Sequence, residues 1–178
     1  MAHLTVNVLG ELQVLIDDVA ISSFKSEKVR ALLAYLAVEA DHAHHREALI
    51  GLLWPDSPEE TARHNLRQAL FNLRLALGDH TAKPPYLLIS RDAIQFNQES
   101  DSSLDLASFN NCFSLWKKAK GEESTAPSTL LSRLEEMVSL YRGEFLQHFY
   151  MADSTEFENW IVVQRETSRQ QAMEVLSY

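Results

Sequence analysis

The sequence predicts an α+β chain in two parts. A meander of short antiparallel strands, three helices and a hairpin occupy residues 1–98, and an all-α helical-repeat segment follows over residues 104–178. Two observations carry this reading. Apolar residues alternate with a period of two near the N-terminus and again around residue 90, whereas helical spacing governs the stretch between them and everything after residue 104. A polar, acidic stretch from Gln98 to Ser103 separates the parts and marks a domain boundary.

Leu4-Thr5-Val6-Asn7-Val8-Leu9 alternates as a half-buried strand does, and Gly10 interrupts it. Leu12 to Ile16 resumes the pattern, and Asp17-Asp18 turns the chain into Val19-Ala20-Ile21, completing a meander of local hairpins. Ser26 then caps a helix whose inward stripe is Val29, Leu32, Leu33, Leu36 and Ala37. A polar loop with His42, His44 and His45 leads to a short helix from Glu47 to Trp54. The third helix has the clearest start signal, with Ser57 as N-cap, Pro58 as first helical residue and Glu60 as capping-box acid. Its buried stripe is Ala62, Leu66, Ala69, Leu70, Leu73 and Leu77, and Gly78 stops it. Tyr86–Ser90 and Ala93–Phe96 form a hairpin with Arg91-Asp92 at its tip. Beyond the boundary, Leu106, Phe109, Phe113 and Trp116 repeat at helical spacing. A helix from Leu130 to Tyr141 turns Leu131, Leu134, Val138 and Tyr141 inward, and a last one from about Asp153 carries Phe157, Trp160, Ile161, Gln164, Ala172 and Val175.

Composition narrows the function classes. The apolar fraction of 46% and charged fraction of 23% are those of a soluble globular chain. No apolar stretch is long enough for a bilayer, and the N-terminus lacks the basic start of a signal peptide, so a cytoplasmic protein with no membrane partner is expected. The single cysteine, Cys112, excludes an internal disulfide and has no zinc-ligand company. No nucleophile elbow, ordered triad or phosphate-binding glycine loop occurs, so neither an enzyme nor a cofactor is expected. The three loop histidines invite a metal reading, but only Asp41 stands beside them, and a solvated loop is the simpler account.

The net charge of −9 argues against a nucleic-acid partner unless basic side chains gather on one face. They do. Residues 61–77 contain Arg63, Arg67 and Arg74 and no acid. With the apolar stripe inward, Arg63, His64, Arg67, Gln68, Phe71 and Arg74 lie on the open side. Arginine can pair bidentately with guanine or clamp a phosphate, and glutamine can pair with adenine. An exposed helix also carries arginines for solubility alone, and it is the context that tips the balance. Three strands, three helices and a closing hairpin reproduce a winged helix-turn-helix of the response-regulator type, with the charged helix in the reading position.

The likeness extends to sequence. Lys28–Ala37, Arg46–Asp56 and Ala62–Leu70 resemble the activator family whose best-known members switch on Streptomyces antibiotic clusters. Those proteins join this winged helix to a bacterial transcriptional activator domain, a tetratricopeptide-like helical module, and Leu140–Leu146 and Trp160 are similar to its signature positions. The resemblance implies that the helix over 58–77 reads the major groove of double-stranded DNA and that the 86–96 hairpin is the wing. Arg91 then contacts backbone or minor groove, and Lys25 and Lys28 are candidates for phosphate contact. It also implies an activator that binds direct repeats as a dimer on DNA. Its helical module would dock RNA polymerase or another protomer. Helix pairs of this kind cannot bury their faces alone, so the array is expected to lean on the winged helix or on further repeats of a longer regulator.

Two positions depart from the family pattern. Phe71 stands where a small polar residue is expected and Leu75 where another arginine is expected. One turn apart, they form an apolar pair on the open side. Packing against the wing or the second part explains them. So does a scaffold that binds DNA weakly and has turned this face to a protein partner, which is the competing function.

Overall fold

The computed structural model describes residues 2–178, with six helices and two small sheets. The first sheet contains β1 (Leu4–Asn7), β2 (Gln13–Ile16) and β3 (Val19–Ala20) as an antiparallel meander. Asp17 and Asp18 both adopt positive φ at the β2–β3 turn, the conformation that a two-residue hairpin of matching twist requires. The alternation in β1 buries Leu4 and Val6 completely.

Three helices follow. In α1 (Glu27–Val38) the Ser26 hydroxyl accepts the Val29 N–H at 3.4 Å, as the sequence predicts. The next helix, α2 (Arg46–Leu53), is preceded by a two-residue strand, β4 (His44–His45). The histidine loop is therefore not simply solvated. His44 is buried, with its Nε2 2.7 Å from the Glu39 carbonyl and its ring edge-on to Tyr35. The third helix, α3 (Glu59–Leu77), begins one residue later than its sequence suggests. Ser57 is not its cap and lies in the preceding turn, where its N–H donates back to the Trp54 carbonyl. Pro58 takes the capping position without a side-chain bond, and Glu59 and Glu60 place negative charge against the helix N-terminus instead. At the other end Gly78 is left-handed, φ 66°, and closes the helix as expected. A second sheet, ordered β4-β6-β5, contains β5 (Leu87–Ile89) and β6 (Ala93–Phe96).

The polar boundary contains a strand that the sequence hides. β7 (Ser102–Leu104) pairs in parallel with β1, and short serine-rich strands carry too little apolar pattern to announce themselves. It runs directly into α4 (Asp105–Lys120), which packs on α5 (Pro127–Leu140); α6 (Thr155–Leu176) completes the set. The inward face of α5 differs from expectation. Leu130, Leu134 and Met137 face the core, while Leu131 and Val138 are more than half exposed. Leu130-Leu131 and Met137-Val138 are apolar doublets, so the sequence permits two helical phases one residue apart.

One hydrophobic core runs through both halves. The Asp105 carboxylate, 5% exposed, accepts the N–H groups of Val8 (2.8 Å) and Leu9 (2.9 Å) beyond the end of β1. Burial pushes this carboxyl above its ordinary range, against the pull of those N–H groups, that of Leu106, and Arg142. The chain between α5 and α6 returns to the first sheet: Gly10 N–H donates to Glu144 O, Leu146 N–H to Val8 O and Gln147 N–H to Gly10 O. Gly10 has φ 108°, and a Cβ on Gly143 would sit 3.2 Å from the Gly10 Cα, so these two glycines allow the segments to cross.

Candidate nucleic-acid interface

The helix α3 is held from beneath by α1 and α2 through Ala62, Leu66, Ala69, Leu70, Leu73 and Leu77, all buried. That burial fixes its rotation about its own axis and decides which side chains remain outside. His64, Arg67, Gln68, Phe71 and Leu75 are all exposed. Phe71 and Leu75 are 55% and 60% exposed, so neither the β5–β6 hairpin nor the second half covers them. The expected packing against one of these is not what the structure has: the helical half sits against α2 and the first sheet instead.

An open groove of about 570 Å³ lies between α2, α3 and the tip of the β5–β6 hairpin. Its walls include Arg46, Arg63, Arg67 and Arg91, facing two carboxylates, Glu47 and Asp92. Four guanidiniums around one depression in a chain of net charge −9 make a concentrated cationic surface. Arg67 and Arg91 have no hydrogen-bond or ion-pair partner among the described residues, so their donors are free for a ligand. Arg63 is half committed, with its guanidinium on Glu59 at 2.6 Å and on Glu47 at 3.0 Å. Both acids are exposed, which leaves the pairing exchangeable.

Arg46 is the residue that sequence reasoning missed. Its guanidinium donates to the Ser90 carbonyl at 3.0 Å and its own N–H to the Asp92 carbonyl at 2.9 Å, which ties the start of α2 to the hairpin tip. Its Nε is buried without a partner. The signal available was its place at the first turn of a helix, but its neighbour in space, Arg91, lies 45 residues away in sequence.

Two of the expected cations are drawn elsewhere. Arg74 donates to Asp79 at 3.0 Å and lies 3.2 Å from His80 Nδ1. Asp79, 2% exposed, accepts the N–H groups of Tyr86 (2.7 Å) and Leu87 (3.2 Å), so Arg74 anchors the route from α3 into the hairpin. Lys28 points to the junction of the two halves, where its ammonium donates to Leu53 O, to Ser154 Oγ at 2.7 Å and to Asp153 at 3.1 Å. The hydrogen bond from Lys28 holds the Asp153 carboxyl below its ordinary range. Lys25 stays exposed beside a second groove, of about 370 Å³, between α1 and α3 that is lined also by Gln68, Asn65 and Asn72. Among the described residues no cluster of His, Cys, Asp and Glu is arranged to hold a metal ion, and no helix is long and apolar enough to cross a membrane.

No family model matches the chain, and no curated protein matches it. Its fold is similar to that of EmbR. That structure, Mycobacterium tuberculosis EmbR in complex with a low-affinity phosphopeptide, superposes with a TM-score of 0.74 at 22% identity. The match covers 96% of this chain and 44% of that one, so the chain spans less than half the length of EmbR. At this identity the likeness speaks for the fold, and it takes in both halves in their observed arrangement.

Proposed function

We propose that this chain is the DNA-reading part of a transcriptional regulator. In this reading α3 enters the major groove, the β5–β6 hairpin acts as a wing on the adjacent backbone, and the helical half docks RNA polymerase or a second protomer. The observation that carries it is the joint placement of Arg67 and Arg91, both unpaired, with Arg46 and Arg63 around one groove beside the exposed face of α3. A helix about 10–12 Å across with its side chains fits a major groove about 12 Å wide, and lateral guanidiniums then meet phosphates. The similarity to EmbR, a transcriptional regulator, supports a regulatory DNA-binding role. Activation, in place of repression, rests on the family resemblance of the sequence.

The test is anisotropy of labelled duplexes, promoter-derived and random, across a salt series. A DNA reader binds the promoter duplex more tightly, and its affinity falls steeply with salt. Arg67→Ala should cost about 1–3 kcal/mol on the specific duplex if Arg67 reads a base, and equally on both duplexes if it holds phosphate. A second reading, a protein-interaction module on the same scaffold, is favoured by one observation, the bare apolar pair Phe71 and Leu75. Absence of binding to either duplex at low salt selects it.

A further inference from the structure

The open face of α3 is not uniform. At about 100° per residue, the direction opposite the buried stripe passes between His64, Phe71 and Leu75, with Gln68 beside them. Arg67 and Arg63 lie roughly 70° and 110° round the helix, on the side of α2 and the hairpin tip. The arginines are therefore flank residues. The ridge that projects furthest from the protein, and so would reach deepest into a groove, is polar at His64 and Gln68 and apolar in its C-terminal half, at Phe71 and Leu75.

A partner for such a face must be anionic at its rim and carry apolar groups on its floor. The major groove of duplex DNA is built that way, with phosphates along its edges and the C5 methyl group of each thymine projecting from its floor. We infer that Phe71 and Leu75 are the sequence-reading side chains of α3 and recognise thymine methyl groups, so that the operator carries thymines under the C-terminal half of this helix. Gln68, one turn before Phe71 and on the side of the ridge away from the arginines, is placed to pair with the edge of an adjacent adenine. This inference rests on the DNA-binding reading and adds to it a statement of which base is read and by which residues. The Phe71 ring is 55% exposed, so most of it is open to a partner.

Replacing thymine by deoxyuridine removes the methyl group and leaves the pairing edges intact. The full chain is first used to select its preferred site from a randomised duplex pool at low salt. The selected duplex is then synthesised with thymine and with deoxyuridine and titrated with wild type, Phe71→Ser and Leu75→Ser. Both substitutions lie at exposed positions, and thermal melts check that each variant folds as the wild type does. Wild type should lose about fourfold in affinity for each methyl group removed, as for a buried methyl elsewhere. Phe71→Ser and Leu75→Ser should each bind the thymine duplex more weakly than wild type does and distinguish the two duplexes less. A selected site without thymine under this helix, or a wild type indifferent to deoxyuridine, overturns the inference and leaves DNA binding standing. Failure to select any duplex overturns both, and assigns the apolar ridge to a protein surface with an acidic rim.

Discussion

Replacing Asp105 with alanine should weaken both halves of the molecule together. The carboxylate sits at the first turn of α4 and is the acceptor for the Val8 and Leu9 N–H groups, in a place where Val8 and Leu9 are wholly buried. A buried N–H left without an acceptor costs about 1–3 kcal/mol, so the pair amounts to about 2–6 kcal/mol. Relief of the carboxylate's own burial, evident in its raised pKa, offsets part of this, and a loss of about 2–4 kcal/mol remains. Urea unfolding followed by tryptophan fluorescence and far-ultraviolet circular dichroism reads the loss, with Trp54 reporting the first half and Trp116 and Trp160 the second. Asp105→Asn, which keeps one acceptor oxygen, should fall between wild type and alanine. The pH dependence has a definite sign. The folded chain holds this proton more tightly than the unfolded chain, so the titration costs stability as pH rises from the ordinary value of 3.8 through the raised folded value. That slope should vanish in Asp105→Asn. A loss under about 1 kcal/mol in Asp105→Ala, or a wild-type stability that climbs across that window in excess of Asp105→Asn, would show that the carboxylate does not stitch the halves as described.

Arg74→Ala should lower stability by about 1–3 kcal/mol, because it leaves the buried Asp79 without its cation, and it should weaken specific and random DNA by the same factor through a loosened hairpin. Arg67→Ala, by contrast, should leave the melting temperature unchanged. Lys28→Met should leave the salt dependence of DNA binding as it is, since the ammonium is spent on Leu53, Asp153 and Ser154, whereas Lys25→Ala should reduce the slope by about one phosphate equivalent. The depressed Asp153 carboxyl contributes stability above its unfolded value that is lost as pH falls through the folded one. Lys28→Met should abolish this acid-side loss, and a fluorescence-monitored acid titration checks it.

The parts of the fold written in local chemistry were legible. The cap at Ser26, the left-handed Gly78, the Asp17-Asp18 turn and the buried stripe of α3 each depend on a few neighbouring residues, and all appear where the sequence puts them. What the sequence concealed depends on partners far along the chain. β7 is a strand only because β1 offers it an edge, and β4 only because the hairpin does. Likewise the exposed face of α3 could be read from a helical wheel, while the fate of each cation on it could not. Arg74 and Lys28 look as free as Arg67 in sequence, and only the folded chain brings Asp79 and Ser154 to them. The same limit hid Arg46, whose role depends on a hairpin tip more than forty residues away.

The interlock of the two halves bears on how the chain can be divided. Gln98–Ser103 reads as a place to cut, and the segment before it has its own helices and sheets. Yet the backbone from Val8 to Gly10 finds its hydrogen-bond partners in Asp105, Glu144, Leu146 and Gln147, and the free flank of β1 is occupied by β7. A protein ended at residue 98 would present that flank as a bare strand edge beside uncovered Leu9, ready to pair with the same edge of another molecule. Aggregation of such a piece would report a missing neighbour and would carry no information about the soundness of α1, α2 and α3.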